Sequence, residues 1–300
     1  TDTTITLIQG SAKEALIIQN NTSQQLYKNI TSKIITGDTL HKENNFIDFD
    51  VQRLIPKMIS AEGPKLALAD VNADGLEDFF MGGATGDTAK LFIQQANGTF
   101  IQSRQPAFEQ DKFSEDIGAL FLDADHDGDM DLVVVSGGNL EKEGSLNLLT
   151  RMYINDGKGS FKRKFNGWPL VSINASCVRL NGNNGDLFIG GRSVPGSYGV
   201  APTSKLLRND GHGNFTDITA LSPDLLKLGM VTDAQWVDID GSGKNSLVVV
   251  GDWMPVSILN SVDGELKKTG DIANSSGWWN CLNVADLDGD GTADMVAGND

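Results

Sequence analysis

Short apolar runs, each bounded by polar turn residues, recur along most of this chain of 300 residues. Each run follows an acidic turn, and each ends in a small residue such as glycine. Runs of β-forming residues this short predict buried strands, because helices need longer segments with a 3.6-residue period. The five runs occupy residues 79–83, 132–138, 187–191, 247–251 and 295–298.

A second pair of strand-like segments follows the earlier runs and is joined by its own tight turn. Asn-Gly and Asp-Gly are favoured in β-hairpin turns, so each unit contains four short strands in about 50 residues, a repeat length typical of propeller blades. The pattern predicts an all-β fold, a β-propeller of four-stranded blades. The turns include Asn97-Gly98, Asn155-Asp156-Gly157 and Asn209-Asp210-Gly211.

The repeat pattern divides the chain into three predicted parts. Residues 1–35 hold strand-like runs, residues 36–63 form a connector, and residues 64–300 form the blades, with single helical turns expected near 50–58 and 223–228. The last unit stops after two strands, which leaves two interpretations. Either the N-terminal strands complete that unit and give about five blades, or the chain is a fragment of a larger propeller and its first strands belong to an upstream module.

Charge and composition narrow the classes of partner. The net charge of -16 argues against nucleic-acid binding, which needs a basic surface, and against binding to an anionic membrane surface. No segment approaches the about 20 consecutive apolar residues of a transmembrane helix. The chain begins at Thr1 rather than methionine, so we expect a processed or excised piece. A piece of a longer multidomain protein is one form of this expectation.

One nine-residue phrase, Asp-x-Asp/Asn-x-Asp-Gly-x-x-Asp, precedes three of the apolar runs and holds 13 of the 40 acidic residues. Carboxylates at alternate positions of a tight turn repel one another, and a hard cation relieves that repulsion. Oxygen ligands at this spacing suit Ca²⁺, so the sequence predicts about three calcium sites. The predicted ligands, with backbone carbonyls from Leu76, Asp129 and Thr292, are Asp70, Asn72, Asp74, Leu76 and Asp78; Asp123, Asp125, Asp127, Asp129 and Asp131; and Asp286, Asp288, Asp290, Thr292 and Asp294.

The sequence around these loops excludes the EF-hand, whose calcium loop begins in the same way. An EF-hand needs a bidentate Glu at position 12 and a helix on each side. Position 12 is Met81, Val134 or Ala297 here, and the flanking segments are strands. The remaining alternative is a network of side-chain turns that holds each hairpin without metal.

Two further loops keep only part of the phrase. Asp238, Asp240 and Ser242 are weaker metal candidates, because position 9 is Ser246 and Lys244 lies inside the loop. The loop near residue 180 keeps only the last acid of the phrase, Asp186, and we expect it to be free of metal.

These features resemble the FG-GAP/VCBS repeats of integrin α-subunit propellers, and a bacterial branch of that family related to CRTAC/ASPIC-UnbV proteins. The resemblance covers about residues 40–300 and implies a propeller with calcium in its blade loops. It also implies an extracellular, cell-surface or periplasmic protein that serves adhesion or binds a protein or glycan. The segments that carry it are 69–75 with 79–83, 121–138, 190–196, 229–234, 251–255 and 277–280.

Catalytic motifs are missing from the sequence. It contains no Gly-x-Ser-x-Gly elbow, no His-Glu-x-x-His helix and no Gly-x-Gly-x-x-Gly cradle. We interpret His41, His126 and His212 as surface residues, and Cys177 and Cys281 as buried free thiols. The sequence therefore favours a protein that is not an enzyme.

Arg192, Trp253, Trp278 and Trp279 are the remaining candidates for binding a ligand. Tryptophan faces stack on sugar rings, although tryptophans also fill wedges between blades. Trp278 and Trp279 should point in opposite directions if they lie on a strand. Three hypotheses stay open: a calcium-stabilised binding propeller, a carbohydrate-active lyase or hydrolase on a propeller scaffold, and a structural spacer.

Overall fold

The computed structural model describes residues 27–262 and 264–299, which form a series of antiparallel sheets. Most of the predicted N-terminal strand region, residues 1–26, lies outside the described residues. Within these described residues, helix is confined to short turns, two of which overlap the helical turns expected from the sequence. The helices are α1 (Thr31–Ile34), α2 (Asp48–Val51) and α3 (Pro106–Gln110), with 3₁₀ turns at Leu146–Leu148, Thr219–Leu221 and Pro223–Lys227.

The first three blades are meanders of four strands, in which each strand pairs antiparallel with the next. A short strand, β1 (Ile35–Thr36), adds to the outer edge of the first blade by pairing in parallel with β5. The blade strands are β2 (Leu66–Ala69), β3 (Asp78–Met81), β4 (Lys90–Gln94) and β5 (Phe100–Ser103); β6 (Asp116–Leu122), β7 (Asp131–Ser136), β8 (Arg151–Asn155) and β9 (Phe161–Lys164); and β10 (Ala175–Leu180), β11 (Leu187–Gly191), β12 (Lys205–Asn209) and β13 (Phe215–Asp217).

The fourth blade has the same meander and is joined to the two strands of the fifth unit. Asp252 and Met254, at the end of its second strand, pair with Trp278 and Gly277 at the start of the fifth unit. The strands are β14 (Met230–Val237), β15 (Ser246–Met254), β16 (Ser257–Val262), β17 (Glu265–Asp271), β18 (Gly277–Ala285) and β19 (Asp294–Asn299).

The innermost strand of each blade packs on the innermost strand of the next, in the order β2, β6, β10, β14 and β18. This succession places the blades around a common axis, so the predicted all-β propeller architecture of four-stranded blades is confirmed. The hydrophobic core lies between the blades rather than in one central layer. Phe108 and Tyr153 fill the first interface and Trp168 and Leu187 the second, and each such buried side chain contributes about 1.5–3 kcal/mol.

Strand direction distinguishes the two ends of the blades. Each innermost strand runs toward an acidic loop, so the acidic loops of all five units lie at one end of the blades. The opposite end carries the connections between second and third strands, and the connector folds against it. Gln52 donates to Asn139, Ser60 accepts from the Asn139 N–H, and Glu62 pairs with Arg192.

Closure of the ring is not seen among the described residues. Within residues 27–262 and 264–299, β19 pairs only with β18, and no further strand extends the fifth unit. The N-terminal strands predicted to complete that unit fall in residues 1–26. Both sequence interpretations of the last unit therefore stay open.

Candidate functional site

The acidic loops share one backbone conformation, which the sequence phrase dictates. Positions 4 and 6 of the phrase adopt a positive φ in the loops of the first two blades. The values are 58° for Ala73 and 84° for Gly75 in the first loop, and 63° for His126 and 93° for Gly128 in the second. Glycine tolerates this left-handed conformation best. In the last loop both positions are glycines, Gly289 and Gly291. The resulting turn points the side chains of positions 1, 3 and 5 inward.

The hairpin of the following blade supports each of the first two loops from the side. Asn155 donates from Nδ2 to the carbonyl of Val71 at 2.7 Å, and Asn209 makes the same contact with Ala124 at 2.8 Å. Both asparagines begin the Asn-Asp-Gly turns that mark hairpins in the sequence. Those turns therefore position the acidic loops as well as reversing the chain.

The loop of the second blade has the clearest features of a cation site. One carboxylate oxygen each from Asp123, Asp125 and Asp127 lies within 4.8 Å of the other two. Oδ1 of Asp123, Oδ1 of Asp125 and Oδ2 of Asp131 are buried and have no hydrogen-bond partner. Burial, together with Asp125 and Asp127, raises the pKa of Asp131 to about 6. Buried anionic oxygens without donors need a cation, so these residues fit calcium.

The loops of the first blade and of the fifth unit satisfy more of their oxygens internally. Asp70 accepts from the backbone N–H groups of Asp74 and Gly75, and both oxygens of Asp78 accept from Val71 and Gln94. Such contacts resemble the alternative named in the sequence analysis, a network of side-chain turns that holds the hairpin without metal. They leave the second lone pair of each oxygen available to a cation.

The loop of the fifth unit again gathers acids. Asp286, Asp288 and Asp294 each bring one oxygen to within 4.8 Å of the others. Asp294 accepts from the backbone N–H of Leu287, as Asp78 does from Val71 in the first loop. Thr292 donates to Asp290 and lowers the pKa of that carboxyl group. The structure thus brings together three of the four acids that the phrase predicted in this loop, and Asp290 is not part of the group.

The third blade neutralises its loop with a side chain. Asp186 is buried, and Arg208 on β12 reaches it with Nε at 3.4 Å and Nη2 at 3.3 Å. Asn184 donates to the same carboxylate at 3.0 Å. Arg208 was not singled out in the sequence. It stands, however, where the equivalent strands β4 and β8 have Ile93 and Ile154, so internal alignment of the repeats could have found it.

The loop of the fourth blade is satisfied mainly by its own backbone. Asp238 accepts from the N–H groups of Ser242 and Gly243, and Asp240 accepts from Ser242. The Ser242 hydroxyl lowers the pKa of Asp240. Position 9 supplies no carboxylate because it is Ser246. Asp238, Asp240 and Ser242 therefore stay weaker metal candidates.

An aromatic platform lies at the opposite end of the blades. Trp253 and Trp278 face each other with ring centroids 5.0 Å apart and planes tilted by 30°. Together with Gly277 and Asn299 they border an open cleft of 330 Å³. Trp253 is 66% exposed and has a φ of 59°, which is unfavourable for a bulky residue and typical of functional sites. The indole N–H of Trp278 has no partner.

Buried charges hold this platform from below. Trp253 donates to the Tyr198 hydroxyl at 3.3 Å, and Tyr198 donates to Asp252 at 2.8 Å. Arg192 is 3% exposed and pairs with Asp252 and Glu62. Burial and the neighbouring Asp252 raise the pKa of Tyr198 to about 12, so the hydroxyl stays protonated. Arg192 therefore supports the platform and does not reach its surface.

Other residues singled out in the sequence occupy varied environments. Trp279 packs into the core between the fourth and fifth units, while Trp278 lines the cleft, so the two side chains point apart as expected. Cys177 is a buried free thiol, but Cys281 is exposed, because no blade among the described residues packs over its side of β18. His126 and His212 are exposed. His41 is not, since its side chain is only 11% exposed.

Comparisons with known proteins agree with the repeat pattern. Residues 70–134 and 238–297 match the FG-GAP-like repeat family. No curated protein matches the chain. Solved structures that match include "YCF48 bound to D1 peptide", at 11% identity and a TM-score of 0.43, over 78% of this chain and 61% of that one. The chain thus spans less than two thirds of that structure, and the score is too low to support an argument.

Proposed function

We propose that this chain, which carries FG-GAP-like repeats on propeller blades, is a calcium-stabilised binding protein and not an enzyme. The observation that carries the proposal is the set of three buried carboxylate oxygens without partners in the second loop. Calcium takes 6–8 oxygen ligands and tolerates irregular geometry. A loop that offers alternate carboxylates and a backbone carbonyl meets that requirement.

We infer that calcium has a structural role in these loops. Each loop joins the innermost strand of a blade to the next strand, and the first two are also held by the following blade. An ion in such a loop fixes strand register and interblade contact together. Calcium bound at one end therefore keeps the opposite end ordered for ligand binding.

We propose a glycan as the ligand of the platform formed by Trp253 and Trp278. Both faces are rigid and amphipathic, and Lys57 lies 5.9 Å from the Trp278 ring centroid while donating to Asn280. Flat aromatic surfaces with nearby polar groups suit the apolar faces and hydroxyls of sugars. An exported setting, at the cell surface or in the periplasm, is consistent with this ligand. No helix among the described residues is long and apolar enough to cross a membrane.

Calorimetric titration of the chelator-treated chain with Ca²⁺ tests the metal part of the proposal. We expect uptake of about three ions and a rise in melting temperature. Asp125→Asn should reduce the stoichiometry by one, because it removes a charged ligand. Glu77→Gln is the matched control, since Glu77 is an exposed acid of the first loop at a non-ligand position. Absence of calcium uptake would overturn the proposal.

A glycan array with and without calcium tests the ligand. Trp253→Ala should abolish binding, whereas Phe165→Ala, at another exposed aromatic residue, should leave it unchanged. Binding of no glycan by a calcium-loaded chain would favour a structural spacer. Cleavage of an acidic polysaccharide would instead favour the carbohydrate-active enzyme.

A further inference from the structure

A second group of potential metal ligands lies away from the acidic loops, where the connector meets the start of the second blade. One ligand atom each from His41, Glu43 and Glu115 lies within 4.8 Å of the other two. His41 and Glu43 belong to the connector, and Glu115 immediately precedes β6. The group therefore joins two segments that are more than 70 residues apart in sequence.

Two atoms in this group are buried and lack any partner. Glu115 is 4% exposed, and its Oε1 has no hydrogen bond. His41 Nε2 contacts Glu43 Oε1 at 2.8 Å, while His41 Nδ1 is buried and unpartnered. An ion bound to Nε2 would take the place of the hydrogen atom in the contact between His41 and Glu43, with the remaining ring proton on Nδ1. The unpartnered Oε1 of Glu115 is a buried anionic oxygen that a cation would stabilise.

The surroundings fix the group but do not neutralise it. The other oxygen of Glu115 accepts from the N–H and hydroxyl of Thr85, at 2.7 and 3.0 Å. Asp116 is committed to Arg151. Gly63 passes so close that an added Cβ would lie 2.8 Å from His41 Nε2. These contacts orient His41 and Glu115. They supply no positive charge to the carboxylates of Glu43 and Glu115 apart from that of a protonated His41.

We propose that His41, Glu43 and Glu115 bind one divalent transition-metal ion of the Zn²⁺ type. Imidazole nitrogen with carboxylate oxygen is a ligand set that Zn²⁺ accepts, whereas calcium takes oxygen ligands. Two carboxylates balance the charge of a divalent ion. Three protein ligands leave a coordination position for water. The ion would fasten the connector to the second blade at the end that carries the aromatic platform.

Calorimetric titration of the full chain with Zn²⁺ in saturating Ca²⁺ tests the proposal, because calcium keeps the oxygen-only loops occupied. We expect one zinc ion per chain. His41→Gln and Glu115→Gln should each weaken zinc binding by at least about tenfold. His126→Gln and His212→Gln are matched controls on exposed histidines and should bind zinc as the parent chain does.

The remaining outcomes are also decisive. Glu43→Gln provides a variant at a side chain that is 32% exposed, so it should fold even if Glu115→Gln does not, and melting curves in calcium verify folding. Zinc binding that survives both His41→Gln and Glu43→Gln would overturn the proposal. So would a parent chain that takes up no zinc, or one whose zinc binding is lost in His126→Gln.

Discussion

The loops of the second and third blades occupy equivalent positions but balance their charge in different ways. In the second blade, three buried carboxylate oxygens have no partner. In the third, Asp186 is paired with Arg208, which replaces an isoleucine of the first two blades. The comparison shows two arrangements at one position: a buried carboxylate with an unpartnered oxygen, which an ion could neutralise, and a buried carboxylate paired with an arginine.

The largest expected effect is removal of calcium, which should affect the second blade and spare the third. An ion that binds only the folded state at 100 times its Kd adds about 2.7 kcal/mol, so three sites add about 8 kcal/mol. Chelator should therefore lower the free energy of unfolding by several kcal/mol, measured by chemical denaturation. Asp131→Asn should reduce the calcium-dependent part by one site's share.

The same variant has a built-in control. Asn at position 131 keeps an acceptor for the Asn155 N–H, which bonds to Asp131 at 2.9 Å. In chelator it should be at least as stable as the parent, since it removes an uncompensated buried charge. A variant equally destabilised with and without calcium would contradict the cation assignment for this loop.

Glu115 extends the comparison to a buried carboxyl group outside the loops. Burial, followed by Glu43 and Asp116, raises its pKa from 4.5 to about 7. Between these values the folded state binds more protons than the unfolded state, so stability falls as pH rises from about 4.5 to 7. The loss reaches on the order of 3 kcal/mol. Full stability should be present below about pH 4.5, and the loss should be complete above about pH 7.

Denaturation in calcium buffer without transition metal, across that pH range, measures this effect. Glu115→Gln should flatten the slope, because the amide does not titrate and still accepts from Thr85. Glu109→Gln is a suitable control, since Glu109 is exposed and its pKa is lowered by Arg104. A slope unchanged by Glu115→Gln would assign the pH dependence to other groups.

The arginine of the third blade gives the next largest effect. Arg208→Met keeps much of the side-chain volume but leaves the buried carboxylate of Asp186 with only Asn184 and solvent. Arg208 is 43% exposed, so we expect a loss of about 2 kcal/mol rather than the 3–5 kcal/mol of a fully buried pair. Because no ion is involved, the loss should be the same with and without calcium.

The double variant Arg208→Met with Asp186→Asn tests the pairing itself. Removing both charges should recover most of the stability lost in the single variant. Added calcium that rescues the Arg208→Met variant would be equally informative. It would show that the third loop can use an ion once the arginine is gone.

Local features of the fold and loops could be predicted from the sequence. Strand period, hairpin turns and blade spacing depend on residues close together in the chain, and the loop acids are likewise contiguous. The blade architecture and the grouping of Asp123, Asp125 and Asp127 follow directly from such signals. Arg208 lies within the same repeat as Asp186, so comparison among repeats could also have revealed it.

Long-range placement could not be predicted in the same way. The connector has no repeat pattern, and its fold against the blades depends on contacts such as Ser60 with Asn139 and Glu62 with Arg192. The side chain of His41, in the same connector, is only 11% exposed, and the sequence gave no reason to expect that. Cys281 differs from expectation for the reverse reason, because burial of β18 depends on what packs beyond it.

The smallest expected effect concerns backbone strain in the acidic loop of the second blade. His126 has a φ of 63° at position 4, where the fourth and fifth loops have Gly241 and Gly289. A left-handed conformation costs a residue with a Cβ about 1–2 kcal/mol, and glycine's greater freedom when unfolded offsets part of that. His126→Gly should therefore stabilise the chain by about 0.5–1 kcal/mol. His212→Gly, at an exposed histidine without a positive φ, should do the opposite in the same denaturation measurement. Equal gains at both positions would show that the effect does not come from strain in the loop.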